Sequence, residues 1–160
     1  MNEESGIAEM YLNGINVEKE IRTLEVSNLV SPVAEVSEVR AKLVEQQQKM
    51  VIQKGIVMDG RDIGTVVFPE AELKIFMTAN PQIRAKRRFD EMIQKQTNIT
   101  LEEVLKNVEE RDYIDSNRKD SPLRKADDAI EIDNSNLTRE EQFERVFQLV
   151  KVTIENVNTI

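Results

Sequence analysis

The chain has 160 residues, of which 39% are hydrophobic and 32% charged, and its formal net charge is -8. That size and balance fit one globular, soluble domain carrying at most a small insertion, and no apolar run nears the roughly 20 residues of a membrane span. Cysteine and histidine are both absent, which excludes disulfides, thiol catalysis and histidine-dependent nucleophiles, and removes the commonest metal ligand.

The first ten residues, MNEESGIAEM, are acidic and lack an apolar core, so they do not read as a secretory signal. A cytoplasmic location is expected. Residues 10–12 (MYL) and 15–17 (INV) flank Asn13-Gly14, a dipeptide suited to a tight hairpin. Residues 36–51 read as a helix with Val39, Leu43 and Met50 apolar. Residues 1–52 are therefore expected to form a small hairpin-plus-helices insertion, ahead of an α/β part spanning residues 53–160.

In that second part, residues 55–59 (GIVMD) form a short apolar run closed by Asp-Gly, like a buried parallel strand. Residues 73–77 (LKIFM) predict a second strand. Asn80-Pro81 then starts a helix running to about Gln96, with Asn80 as cap and Pro81 in the first turn. Thr100 with Glu103 predicts a capping box on a helix from Leu101 to about Asn117. Residues 115–128 are polar, contain Pro122 and read as an exposed loop. Residues 129–133 (AIEID) predict a third strand. Thr138 and Glu141 cap a last helix, whose apolar stripe of Phe143, Val146, Phe147, Val150, Ile154 and Val157 is expected to pack on a sheet. Strands separated by helices imply a parallel α/β sheet.

The negative net charge disfavours a nucleic-acid partner. Yet arginines concentrate locally, as a small, highly anionic ligand would require. The loop at residues 59–65, DGRDIGT, follows the first expected strand, where open α/β sheets bind ligands. Arg61 offers a planar fork for phosphate oxygens and Asp62 offers acceptors for an amino group. Equally, the two could pair with each other in solvent. Arg111, Asp115 and Arg118, at i, i+4 and i+7, share a helix face, either as surface ion pairs or as a site for sugar hydroxyls and phosphate. Arg84, Arg87 and Arg88 are like charges crowded on one helix, neutralised by Asp90 and Glu91 or by a bound anion. Arg22, Ser31 and Arg40 carry no diagnostic spacing and read as solvated surface.

Together these residues resemble a family. EIRT at 20–23, Ser31, Val39-Arg40, GIVMDGRDIGTVVFP at 55–69, KIF at 74–76, RAKRR at 84–88 and ERD at 110–112 with Asp115 and Arg118 resemble bacterial cytidylate kinases in order and spacing. The resemblance runs from about Tyr11 to the C-terminus. It implies part of a P-loop kinase sheet, with residues 1–52 as the monophosphate-binding insertion and a mobile lid at about 84–125. It implies transfer of the ATP γ-phosphoryl group to CMP, and to dCMP, with magnesium carried on the ATP. A monomer that binds nucleotides, and neither nucleic acid nor membrane, is expected. By resemblance, Ser31, Arg40 and Asp62 read the cytosine, and Arg111 and Asp115 hold the ribose. Arg61, Arg118 and Arg22 bind phosphate, and Arg84, Arg87 and Arg88 supply lid contacts to ATP.

The chain departs from the family at one point. A kinase of this class carries a strand, a GxxxxGK[ST] loop and a helix. The five glycines, Gly6, Gly14, Gly55, Gly60 and Gly64, belong to no such motif. The 160 residues alone are therefore expected not to bind ATP normally. A silent CMP-binding module and a structural or interaction domain are the alternative readings.

Overall fold

The computed structural model describes residues 9–50, 55–94 and 98–157. Two short antiparallel strands come first, β1 (Tyr11–Leu12) and β2 (Ile15–Asn16). Asn13 and Gly14 join them with φ of 52° and 82°, the left-handed pair that a tight hairpin demands and that Asn-Gly supplies. A single 3₁₀ turn, Glu20–Arg22, leads into α1 (Leu24–Ala34). Thr23 caps α1 by accepting from the Val26 N–H, and Pro32 sits within its last turn. Helix α2 follows at Ser37–Lys49. Its expected end at Val51 lies outside the described residues.

Helix α1 has no counterpart among the elements expected from sequence, and its inward side is polar. Ser27 and Ser31 are buried while Leu29, Val30 and Val33 are exposed. Helix α2 repeats this arrangement, burying Arg40 and exposing Val39 and Leu43.

The strand expected at 55–59 is absent. Gly55 takes φ +69° and Val57 is 94% exposed. A strand needs a neighbour to take up its backbone hydrogen bonds, and no described strand lies beside this run. Among the described residues, the sheet of the second part has two strands, β3 (Ile75–Thr78) and β4 (Ile130–Asp133), paired in parallel with Ile75 opposite Ile130 and Thr78 opposite Asp133. Strand β3 begins at Ile75 rather than at Leu73.

Between them lie α3 (Pro81–Gln94) and α4 (Leu101–Asn117). Asn80 caps α3, its side chain accepting from Gln82 N at 2.9 Å. The expected end at Gln96 lies outside the described residues. Thr100 and Glu103 form a reciprocal capping box on α4. The apolar core is where these two helices meet: Ala85, Met92, Ile99, Val104 and Val108 are buried, with Phe89 and Leu105 packed against them.

The last helix, α5 (Arg139–Val157), starts at the Thr138–Glu141 box. Its stripe does not pack on the sheet as expected: Phe143, Phe147, Ile154 and Val157 are exposed. An amphipathic stripe is buried only where a second apolar surface faces it. Here α5 is tied instead by polar contacts, Asn134 Nδ2 to Gln142 Oε1 at 2.6 Å and Arg139 to Glu91 at 3.7 Å. Phe143 and Phe147 stack on each other, with ring centroids 5.7 Å apart. No described helix is long and apolar enough to cross a membrane.

Candidate functional site

The loop DGRDIGT folds into a wide turn. Asp62 O accepts from Val66 N at 2.9 Å and Val67 N at 3.2 Å, and Ile63 O accepts from Phe68 N at 2.7 Å. Hydrogen bonds to the fifth residue on mark a π-type turn, Ile63–Val67, a form frequent at functional sites. A Cβ added at Gly60 would lie 2.9 Å from Ile63 Cγ1, so a side chain there would push Ile63 aside. The result points the Asp62 side chain inward, at 2% exposure.

Arg61 and Asp62 do not pair with each other. Asp62 forms an ion pair with Arg40 of α2. Arg61 Nε donates to Asp115 Oδ2 of α4 at 3.0 Å. Asp115 in turn lies 3.6 Å from Arg118 Nη1, and Arg118 donates through Nε and Nη2 to Ser121 O at 2.8 and 2.6 Å. Asp115 and Arg118 are both buried, so this end of α4 is not the solvated ion-pair surface that spacing alone allows. Burial and the neighbouring Arg40 guanidinium hold the Arg118 pKa below its ordinary value, against the pull of Asp115 and Asp62. Five residues from three separate segments of the sequence, Arg40, then Arg61 and Asp62, then Asp115 and Arg118, thus meet in one place.

Ser31 joins the buried set at 1% exposure, so neither it nor Arg40 is the solvated surface residue that the sequence suggested. Its hydroxyl has no hydrogen-bond partner, and neither do Arg40 Nε, Asp62 Oδ2 and Arg111 Nε. Only Gln47 Oε1 shares that condition among the described residues. Buried polar atoms are nearly always hydrogen-bonded, and leaving one unpaired costs about 1–3 kcal/mol. Four such atoms fall on four sequence-selected residues.

Beside this cluster runs a cleft of about 520 Å³, lined by Arg22, Arg84, Arg87, Arg88 and Arg111 together with Ser27. These arginines differ in their freedom. Arg84 is engaged: Nη1 donates to Asp112 Oδ1 at 3.0 Å, Nη2 bonds Asp112 Oδ2, and Nε donates to Ala79 O at 3.1 Å. The hydrogen bond to Asp112 raises its pKa above the ordinary value. Arg87 is likewise taken up by the carbonyls of Asn134 and Ser135, at 2.8 and 3.1 Å. Arg22 is exposed and pairs with Glu18 at 2.9 Å. Arg88 and Arg111 both donate to the Ser27 hydroxyl. Burial, then a neighbouring guanidinium, lowers the pKa of each: Arg111 acts on Arg88, and Arg61 acts on Arg111. Arg111 therefore links the cleft to the buried cluster.

Ser27, Asn107 and Asp112 hold this arrangement together; Asp112 closes the ERD motif without a role read for it there, and no sequence motif singles out Ser27 or Asn107. Ser27 precedes Ser31 by four residues, a spacing that places both hydroxyls on one face once α1 is recognised as a helix.

The family model described as cytidylate kinase matches residues 1–152. A cytidylate kinase of Flavobacterium johnsoniae is 70% identical over 96% of this chain and 67% of its own length. One from Bacteroides thetaiotaomicron is 60% identical over 89% of this chain and 62% of its own. One from Cytophaga hutchinsonii is 48% identical over 98% of this chain and 70% of its own. The chain thus spans about two thirds of the length of the curated relatives it matches. On a match this extensive, the chain belongs to the cytidylate kinase family.

Proposed function

We propose that this chain binds CMP, and dCMP, between its N-terminal helices and α4, and contributes that site to phosphoryl transfer from ATP. The observation that carries the reading is the set of unpartnered buried atoms on Ser31, Arg40, Asp62 and Arg111. Asp62 Oδ2 is an acceptor for the exocyclic amino group of cytosine, while Arg40 Nε is a donor for its ring acceptors. Ser31 Oγ adapts to either role. Uracil presents a carbonyl where cytosine presents the amino group, so it would face the Asp62 carboxylate acceptor to acceptor. Mismatches that strand a buried polar group discriminate strongly.

The sugar and phosphates fall to the remaining groups. Asp115 offers acceptors for ribose hydroxyls, and Arg111 lies beside it. Arg61, Arg118 and Arg88 supply guanidinium forks of the kind that hold phosphate oxygens. Phosphoryl transfer needs in-line alignment and spread positive charge rather than a covalent nucleophile, and a chain free of histidine and cysteine suits it. ATP with its magnesium would supply the phosphoryl donor, on the cleft side lined by Arg88 and Arg111. The arginines fit the phosphates, whereas a glycine-rich phosphate cradle is not among these 160 residues. Cytoplasmic pyrimidine nucleotide metabolism is the setting that this chemistry suits.

Calorimetric titration of the chain with CMP and UMP tests the reading. CMP is expected to bind at least about a hundredfold more tightly than UMP. Asp62→Asn is expected to narrow the gap to about tenfold, since the amide presents an N–H that uracil can accept. Equal affinity for the two nucleotides, or a preference untouched by Asp62→Asn, overturns it.

A further inference from the structure

Arg88 and Arg111 come from different helices, yet both donate to one oxygen. Arg88 Nη2 lies 2.7 Å and Arg111 Nη1 3.1 Å from Ser27 Oγ on α1. A serine hydroxyl has one donor and two acceptor sites, and Ser27 uses all three. Its proton goes to Asn107 Oδ1 at 3.3 Å. Asn107 is fixed in turn, donating from Nδ2 to Asn28 Oδ1 at 2.5 Å. Ser27 and Asn107 are both buried. The direction of the hydroxyl proton is therefore set, and its lone pairs are presented to the two guanidiniums.

What stands between the arginines matters as much as where they stand. Asp112, the carboxylate next to Arg111 in sequence, is committed to Arg84 through both oxygens. The group that Arg88 and Arg111 share is a neutral hydroxyl. A carboxylate in its place would bind both arginines more strongly and cancel part of their charge. A hydroxyl orients them and leaves the charge for a ligand.

We propose that Ser27 is a positioning residue, which holds Arg88 of α3 and Arg111 of α4 at one point and turns them toward a polyphosphate in the arginine cleft. The proposal rests on the reading of that cleft as a phosphate site. It also ties the N-terminal helices to the phosphate end of the site, because Ser27 and Ser31 lie on the same face of α1.

The test is calorimetric titration of the chain with inorganic tripolyphosphate at low salt, with thermal melting recorded for every variant. Ser27→Ala is expected to weaken binding about tenfold, the loss of an oriented charge-assisted hydrogen bond. Ser27→Thr keeps the hydroxyl and is expected to restore binding. Ser27→Asp is expected to bind tripolyphosphate worst of all while melting no lower than the parent, because it satisfies the arginines and neutralises them. A Ser27→Ala chain that binds like the parent overturns the proposal. So do losses that follow falls in melting temperature across all three variants, which would make Ser27 a packing residue. Arg88→Ala and Arg111→Ala separate the two levels. If neither weakens tripolyphosphate binding, the phosphate reading of the cleft fails and the proposal with it; if both weaken it while Ser27→Ala is silent, the proposal alone fails.

Discussion

Helices α3 and α4 meet through apolar residues, Ala85, Met92, Val104 and Val108, whereas α1 and α2 turn polar residues inward. The buried residues of α1 and α2 are Ser27, Ser31 and Arg40, while Leu29, Val30, Val33, Val39 and Leu43 face solvent. The first pair is held by the transfer of apolar surface out of water, which is non-directional and tolerates adjustment. The second is held by directed contacts, Arg40 to Asp62, Ser37 to Asp120 and Ser27 to Asn107, each crossing from the N-terminal helices to the second part. One region is a core that happens to be helical. The other is a polar seam, in which helical spacing sets Ser27 and Ser31 on one face.

The contrast breaks most visibly at the Arg40–Asp62 pair. Asp62→Ala leaves a buried guanidinium uncompensated and is expected to cost about 3–5 kcal/mol, measured by urea unfolding. A loss below about 1 kcal/mol, the range of solvated pairs, would put this region in the same class as ordinary surface. Next in size is the core itself. Val104 has no exposure, so Val104→Ala is expected to cost about 2 kcal/mol by lost burial and cavity formation. Phe147→Ala on the exposed face of α5 is expected to change stability by less than about 0.5 kcal/mol, although it removes the larger side chain. Equal losses at the two sites would show that α5 is covered in solution.

The smallest effect sharpens the local layer on which both regions stand. Hydrogen bonds from the Thr100 and Thr138 backbones hold the Glu103 and Glu141 carboxyls below the usual value of 4.5. Their folded pKa lies under the unfolded one, so their contribution is complete above about pH 4.5 and is lost as pH falls through the folded value. Glu103→Gln keeps the capping geometry without the titrating group. Thermal melts between about pH 6 and 3 should therefore fall less steeply for Glu103→Gln than for the parent chain.

Legibility follows the same division. The Asn13-Gly14 hairpin and the two capping boxes are readable because each is decided by a few neighbouring residues. Helices α3 and α4 are readable because their starts, Asn80-Pro81 and the Thr100–Glu103 box, are local signals. Helix α1 is not, since its buried positions are serines and Pro32 interrupts its propensity. The apolar runs at 55–59 and along α5 read as buried, but an apolar pattern states only that a face can be buried, not that a neighbour is present to bury it. The site residues are legible as a set through the resemblance, and their convergence is a matter of geometry. Which arginines are free is invisible in sequence: Arg84, Arg87 and Arg88 look equivalent there, and only folding commits the first two to Asp112 and to the carbonyls after β4.

The Arg40–Asp62 ion pair has a consequence for anything that enters the cluster. It clasps α2 to the turn after Arg61 through Arg40 Nη2 and Asp62 Oδ1, and leaves Arg40 Nε and Asp62 Oδ2 unpartnered. On the proposed reading, a base would bond to those two atoms without opening the clasp. The cost of orienting them would then be met in folding rather than on arrival of the guest.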